Sequence, residues 1–284
     1  MVDYDKALEE NVPEFKESST GKISELDISG AMSVVQIHGW KQILGIVLVA
    51  VIVLGGWELI VRLANVPEYV FPTPSRIAVV LVKSLPAIYP HFLITLGQLV
   101  AGFLIGASIG FVLAAVLTQI PFIEQIITPY IILIITTPTL ALVPLLMLRL
   151  GFGIGPRIIA VSLAVGPMVM INSVTGFRRT DLAKIALARS YGATTVQIFT
   201  KIRFPLALPM VNVGLLVGGI FGLITSVGAD MVGGKMGLGN RIAYYASLGK
   251  TANFFATILL VSMIGISIWI IITKIGKKYA SWKE

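Results

Sequence analysis

Six long apolar runs dominate this sequence, and each has at least the roughly 20 residues that a helix needs to cross a bilayer. The runs lie at 42–62, 92–118, 123–148, 157–177, 205–229 and 252–273. The chain is 56% hydrophobic and only 13% charged, which is far more apolar sequence than a soluble core needs. We therefore predict an all-α integral membrane protein with six transmembrane helices.

The distribution of Lys and Arg predicts how these spans are oriented. The polar segment 178–205 contains six basic residues and one acid, Asp181, a balance that is typical of a cytoplasmic loop. Alternation from this segment places both termini in the cytoplasm. The cytoplasmic segments then hold 14 Lys and Arg residues and the outer segments hold 8, a bias in the expected direction.

The first 41 residues differ from the rest of the chain. They carry four Lys and eight acidic residues, whereas the remainder has 18 basic and six acidic residues. The acidic start and the long apolar run that follows argue against a secretory signal. We predict a cytoplasmic acidic N-terminal extension at 1–41, partly disordered or weakly helical, and a transmembrane domain at 42–284.

The segment 178–205 is patterned as well as basic. A helix-forming start, a break at Gly192, a second short periodic run and a stop at Pro205 predict two short helices that meet at an angle. A polar loop of this length and pattern is expected to serve as a docking surface for another protein.

This segment resembles the coupling loop of ABC importer permeases. The family pattern is Glu-Ala-Ala, three residues, Gly, nine residues, Ile, two residues and Pro. That spacing is kept by Ala188, Gly192, Ile202 and Pro205. The chain departs from it at Ala186 and Leu187, where the family usually has Glu and Ala. We call residues 178–205 the coupling loop.

A second resemblance lies in the outer loop after the first span. The segment Phe71-Pro72-Thr73-Pro74-Ser75 is similar to one in the nitrate, sulfonate and taurine branch of these permeases. Its prolines predict an extended chain, and Ser75 is the expected cap of a helix that starts at Arg76.

The resemblance implies the transmembrane subunit of a type I ABC importer in a bacterial plasma or inner membrane. Two permease copies, expected to be a homodimer surrounded by membrane lipid, would form the translocation pathway. Cytoplasmic ABC ATPase subunits would hold ATP and Mg, and an extracytoplasmic solute-binding protein would deliver the solute. The chain itself would be no enzyme and would bind no cofactor, metal or nucleic acid. The residues expected to couple to the ATPase are Ala188, Arg189, Ser190, Tyr191, Gly192, Ile202 and Pro205.

Neutral polar residues within the spans are candidates for the pathway wall. Two prolines, Pro138 and Pro144, interrupt the third span, and broken helices are tolerated in membranes where they line protein or water. Alternatively, hydroxyls beside the break bond back to their own helix. The neutral candidates are Thr136, Thr137, Thr139, Asn172 and Asn212, and the charged Arg149 at the outer end of the third span is added to them. Arg149 could attract an anion or extend to lipid phosphate.

The branch resemblance implies a small anion such as nitrate or an organosulfonate, or a small heteroaromatic solute. An ion-coupled secondary transporter and a membrane-embedded enzyme are the alternatives. The span centres contain no Asp, Glu, Lys or Arg, whereas ion-coupled carriers normally need charged relays there. Asp230 falls near a span end. The chain has no cysteine, and His38 and His91 are expected to be separate surface residues rather than a metal pair.

Two glycine-rich patterns complete the sequence-based expectations. The segment 233–239 lacks the Ser or Thr of a phosphate loop after Lys235, so we interpret it as an outer loop that needs a flexible backbone. Small residues repeat every fourth position in the second and fifth spans, which favours close helix packing within one subunit or against a second copy. These residues are Gly102, Gly106, Gly110, Gly214 and Gly218.

Overall fold

The structure, a computed structural model, describes residues 40–233 and 235–280, so nearly all of the predicted extension 1–41 lies outside the described residues. Every regular element in these ranges is helical. The α-helices are α1 (Trp40–Leu63), α2 (Pro74–Leu117), α3 (Pro121–Thr136), α4 (Thr139–Leu150), α5 (Gly155–Arg178), α6 (Leu182–Ser190), α7 (Thr195–Ile198), α8 (Phe204–Gly233), α9 (Leu238–Ser247) and α10 (Thr251–Ala280).

Five helical segments are long and apolar enough to cross a membrane: α1, α2, α5, the continuous α7–α8 segment and α10. The predicted third span instead forms α3 and α4, which are bent by 88° and count as a sixth span only if the pair crosses as one. The break lies at Thr137, whose backbone is extended. This is the conformation expected of a residue that precedes a proline, here Pro138.

The second helix is longer than the sequence predicted. It begins at Pro74, near the predicted helix start at Arg76, and runs without a break into the span predicted from residue 92, with Pro86 and Pro90 inside it. Its cap is Thr73 rather than Ser75, because the Thr73 hydroxyl accepts a hydrogen bond from the Arg76 N–H at 3.4 Å. Ser75 instead donates its N–H and its hydroxyl to the Glu58 carboxylate, at 3.0 and 2.7 Å.

The repeated glycines let α2 and α8 both approach α5 closely. A Cβ atom at Gly106 would lie 2.6 Å from the Ser162 carbonyl oxygen, and one at Gly110 would lie 2.2 Å from the Gly166 carbonyl oxygen. On α8, a Cβ atom at Gly214 would lie 2.9 Å from the Asn172 Cβ. The prediction of packing within one subunit is confirmed, and α5 is the central helix.

The chain divides into two units at Gly56 and Trp57. The first unit contributes residues 40–56 of α1 to the described structure. The second unit contains the rest, and within it Trp57 stacks on Phe71 with ring centroids 5.0 Å apart. Phe71 also meets Phe255 of α10, at 5.7 Å between centroids, so the Phe-Pro-Thr-Pro-Ser segment is anchored by aromatic packing.

Candidate coupling surface and buried polar cluster

The first half of the coupling loop is a short helix with defined caps. The Asp181 carboxylate accepts a hydrogen bond from the Ala183 N–H at 2.8 Å, which starts α6. The helix ends in a Schellman motif: the Gly192 N–H donates to the Arg189 carbonyl at 2.9 Å, and the Ala193 N–H donates to the Ala188 carbonyl at 3.0 Å. Gly192 has φ +75°, so the predicted bend is present and has the left-handed conformation that glycine adopts without strain.

The second half of the coupling loop runs directly into α8. A capping box between Thr194 and Gln197 starts α7, which continues through a π-helical turn, Phe199–Arg203. The prediction that Pro205 stops this helix is therefore wrong. The π turn shifts the hydrogen-bond ladder by one residue, so that the Phe204 N–H donates to the Phe199 carbonyl just before the proline.

The solvent-facing side of the coupling loop combines apolar and basic groups. Leu187, Tyr191 and Val196 are 59%, 84% and 70% exposed, in a segment whose other outward side chains are mainly polar. Lys184 and Arg189 are also exposed. A shallow groove between the Gly192 turn and the helix that follows it is lined by residues that include Tyr191, Gly192, Gln197, Lys201 and Ile202. Such a surface can bind a partner with an apolar centre and an acidic rim.

The predicted pathway residues do not converge in the single chain. The Thr136 and Thr137 hydroxyls both donate to the Leu133 carbonyl, at 3.0 and 2.8 Å. The Asn172 amide donates to the Met168 carbonyl of its own helix at 2.8 Å. These contacts follow the alternative in which polar groups beside a break bond back to the helix.

The other three candidates lie apart from this group. Asn212 is buried against α10, where a Cβ atom at Gly276 would lie 2.2 Å from the Asn212 Nδ2. Thr139 is half-buried at the start of α4, and Arg149 is exposed in its last turn. Within the described ranges no hydrogen bond joins any two of the six candidates, so their pathway role stays a prediction.

A buried charge pair that sequence reasoning did not assemble lies at the opposite end of the bundle from the coupling loop. Arg157 is in the first turn of α5 and Asp230 is in the last turn of α8, whereas the coupling loop joins the other ends of these helices. The Arg157 Nη1 donates to the Asp230 Oδ1 at 3.0 Å, and the two side chains are 4% and 0% exposed.

Polar side chains of α2 complete the shell around Asp230. The Thr95 hydroxyl donates to the Asp230 Oδ2 at 2.7 Å, and the Gln98 Nε2 donates to the Oδ1 at 2.7 Å. We call Asp230, Arg157, Thr95, Gln98 and the adjacent His91 the buried polar cluster. The sequence contained one signal for this cluster. Arg157 opens the predicted fourth span and Asp230 follows the predicted fifth span, so both lie at the same end of neighbouring spans.

The buried polar cluster also fixes the chain that follows α8. The Leu238 N–H donates to the Thr95 hydroxyl at 2.7 Å, and the Gly237 N–H donates to the His91 Nδ1 at 3.0 Å. A Cβ atom at Gly237, which has φ +122°, would lie 2.2 Å from the Asp230 Cγ. The predicted need for a permissive backbone agrees with the positive φ of Gly237, and the residues from Gly237 to Gly239 are buried.

Two expectations are corrected at this end. His91 is 5% exposed and is not the surface residue that the sequence predicted. The residues after Gly237 form α9 rather than irregular loop. Both differences depend on groups that are distant in sequence, because the Gly237 and Leu238 N–H groups bond to His91 and Thr95, 146 and 143 residues away.

Comparison with known proteins shows the family. Residues 106–280, more than half of the chain, match the binding-protein-dependent transport system inner membrane component. A probable ABC transporter permease of Haemophilus influenzae is 26% identical and covers 75% of this chain and 87% of its own length. A putative aliphatic sulfonates transport permease of Bacillus subtilis is 26% identical, with 87% and 89% covered. A riboflavin transport permease of Chloroflexus aurantiacus is 25% identical, with 84% and 90% covered.

The fold is also similar to that of solved transporters. A chain of the MetNI methionine ABC transporter in an inward-facing conformation has a TM-score of 0.61 and 18% identity, covering 69% of this chain and 98% of that chain. The predicted type I importer fold is thereby confirmed. The chain belongs to the binding-protein-dependent transport family and is a multi-pass membrane permease subunit of an ABC importer, whose ATPase is a separate subunit.

Proposed function

We propose that the coupling loop is the surface on which the cytoplasmic ATPase subunits dock. The observation that carries this proposal is the exposure of Leu187, Tyr191 and Val196 on two capped helices that meet at Gly192. Closure of the ATPases around ATP and Mg would move these helices, and α5 and α8 would move with them because the loop joins their ends.

Two substitutions test this docking surface. Gly192→Val places a β-branched residue at a positive φ, which costs about 1–2 kcal/mol locally. Ala188→Trp adds a bulky side chain at the closing turn of α6. We expect both variants to reach the membrane at normal levels and to co-purify less ATPase. Gly192→Asn is the matched control, since asparagine tolerates this backbone conformation. Unchanged assembly and transport in both test variants would remove the coupling loop from the docking site.

The orientation that we propose places the coupling loop and both termini in the cytoplasm of a bacterium. The acidic extension 1–41 would then lie on the same side and play a peripheral role. The cysteine-free chain permits a direct test with single cysteines at two exposed positions, Tyr69 and Ala183. A membrane-impermeant maleimide should label the cysteine at 69 from outside and the one at 183 only in inverted vesicles. The reverse pattern would overturn the orientation.

We further propose that two copies of the chain enclose the pathway and that an extracytoplasmic solute-binding protein delivers the solute. Relatives named for aliphatic sulfonates and for riboflavin support either a small organic anion or a small heteroaromatic solute. Uptake of nitrate, an alkanesulfonate and riboflavin should be compared in vesicles that hold the permease, its ATPase and its binding protein.

The same vesicles distinguish the proposed energy source from the ion-coupled alternative. Since the span centres contain no charged residue, the proton gradient has no evident group on which to act. Uptake should require ATP and should persist in the presence of a proton uncoupler. Uptake that collapses with the uncoupler despite ample ATP would favour the ion-coupled carrier.

A further inference from the structure

One short turn of the chain contacts both ends of the coupling loop. This turn comprises residues 118–120, which join α2 to α3, and the first turn of α3 up to Glu124. At the start of the coupling loop, the Arg178 Nη2 lies 2.6 Å from the Glu124 Oε1. Near its end, the Arg203 Nη1 donates to the Thr118 carbonyl at 3.3 Å. Arg178 and Arg203, which are 25 positions apart by their numbering, therefore attach to the same turn.

The geometry of the Glu124–Arg178 pair favours its persistence. Glu124 lies in the first turn of α3 and Arg178 in the last turn of α5. A carboxylate at a helix N-terminus and a guanidinium at a C-terminus each interact favourably with the helix dipole. Glu124 is 5% exposed, so its carboxylate is held in one place although the Arg178 side chain reaches solvent.

Helix α3 has few other attachments to the chain. Among the α3 side chains that the structure describes, only Glu124 and Ile131 are buried. They are two helical turns apart and so lie on one face. Ile131 belongs to an apolar cluster that also contains Phe177, the residue before Arg178. One ion pair, together with apolar packing of Ile127, Ile131 and Ile135 on the cluster that contains Phe177, thus attaches α3 to the end of α5 from which the coupling loop starts.

We propose that Arg178 and Glu124 are positioning residues that carry movement of the coupling loop into α3, and through it into the break between α3 and α4. Arg203 holds the same turn from the other end of the coupling loop. The inference rests on the proposed docking role of the coupling loop. Neither residue needs to touch the solute, because each acts through the helix to which it is fastened.

A single cysteine at Thr137 reports on the break in this cysteine-free chain. The assembled permease–ATPase complex would be labelled with a maleimide, first without nucleotide and then trapped with Mg, ADP and vanadate. We expect trapping to change the labelling rate by about fivefold, the lower end of typical coupling between two sites. Glu124→Gln and Arg178→Gln should each reduce this change to less than about twofold. The double variant should resemble either single variant, because the two residues act as one link.

Lys274→Gln is the matched control, since it removes an exposed positive charge of α10 outside the coupling loop and should leave the labelling change intact. The inference is overturned if either test variant keeps the full change, if the control loses it equally, or if the effects of the two test variants multiply. ATPase co-purification is measured in every variant. Failure of the docking variants to reduce co-purification would overturn the proposed function, whereas normal assembly with an unaltered labelling change would overturn only this link.

Discussion

The two ends of the helix bundle hold their charges in opposite ways. At one end, Asp230 is completely buried and receives hydrogen bonds from Arg157, Thr95 and Gln98. At the other end, the coupling loop keeps most of its basic side chains exposed, and the Arg178 side chain that pairs with Glu124 is 63% exposed. Burial with several partners fixes one arrangement, whereas exposed charges remain available to a partner.

This difference indicates which end is built to stay together and which is built to be moved. The buried polar cluster joins α2, α5, α8 and the start of α9 through short hydrogen bonds. The coupling loop is attached to the bundle by fewer polar contacts and carries exposed apolar side chains. We expect the first end to move as a unit and the second to move relative to it.

The largest effect is expected at the buried polar cluster. Asp230→Ala leaves Arg157 buried without its counter-charge, and such a change typically destabilises a protein by about 3–5 kcal/mol. The purified variant should unfold at a markedly lower temperature, and its level in the membrane should fall.

A double substitution provides the control for this prediction. Arg157→Met together with Asp230→Leu removes both charges and should recover much of the lost stability, because neither ion is then left unpaired. An Asp230→Ala protein that unfolds at the parental temperature would show that the cluster does not stabilise this end.

The next effect concerns the close packing of α2 against α5, the helix that runs between the two ends. Gly110→Val would drive its side chain into the Gly166 carbonyl of α5, and overpacking of this kind costs about 1–3 kcal/mol. Gly97, on the same helix, has no atom within 4 Å of the position of a Cβ. Gly97→Ala should therefore be neutral or slightly stabilising, and equal losses at both positions would contradict the assigned helix face. Thermal unfolding in detergent measures both variants.

Features that depend on neighbouring residues, such as spans and helix ends, could be predicted from the sequence. Contacts between segments that are distant in the sequence could not. The apolar runs 42–62 and 157–177 agree with α1 and α5 within a few residues, because apolar length alone sets a span. The bend at Gly192 was also predictable, since its cause lies within a few residues of the same helix end.

The buried polar cluster was not predictable in the same way. Asp230 was placed correctly near a span end, but its partners come from α2 and α5, which only folding brings together. The same applies to Gly237, whose lack of a side chain matters because Asp230 lies against it. Pro205 was misjudged for a different reason: a π turn that the sequence pattern does not reveal precedes it.

A smaller and local effect is expected at the cap of α6. Asp181→Ala removes the acceptor of the Ala183 N–H and should cost about 1 kcal/mol. Because α6 lies outside the packed bundle core, hydrogen exchange should increase in residues 182–190 while the unfolding temperature stays unchanged. Asp181→Asn keeps a capping oxygen and should behave like the parent. A lowered unfolding temperature in Asp181→Ala would mean that the coupling loop is part of the cooperative core.

The smallest effect separates the two ion pairs by their response to salt. Double-substitution cycles would measure the coupling energy of Arg178 with Glu124 and of Arg157 with Asp230, in about 0.1 M and about 1 M NaCl. The first pair should couple by less than about 1 kcal/mol, because one partner is largely solvated. Its coupling should shrink at high salt, where the screening length falls from about 10 to about 3 Å.

The second pair is buried on both sides and should keep its coupling energy, since ions in solution do not reach it. Equal salt responses would mean that solvent reaches Asp230, and the contrast between a fixed end and a movable end would then need another physical basis.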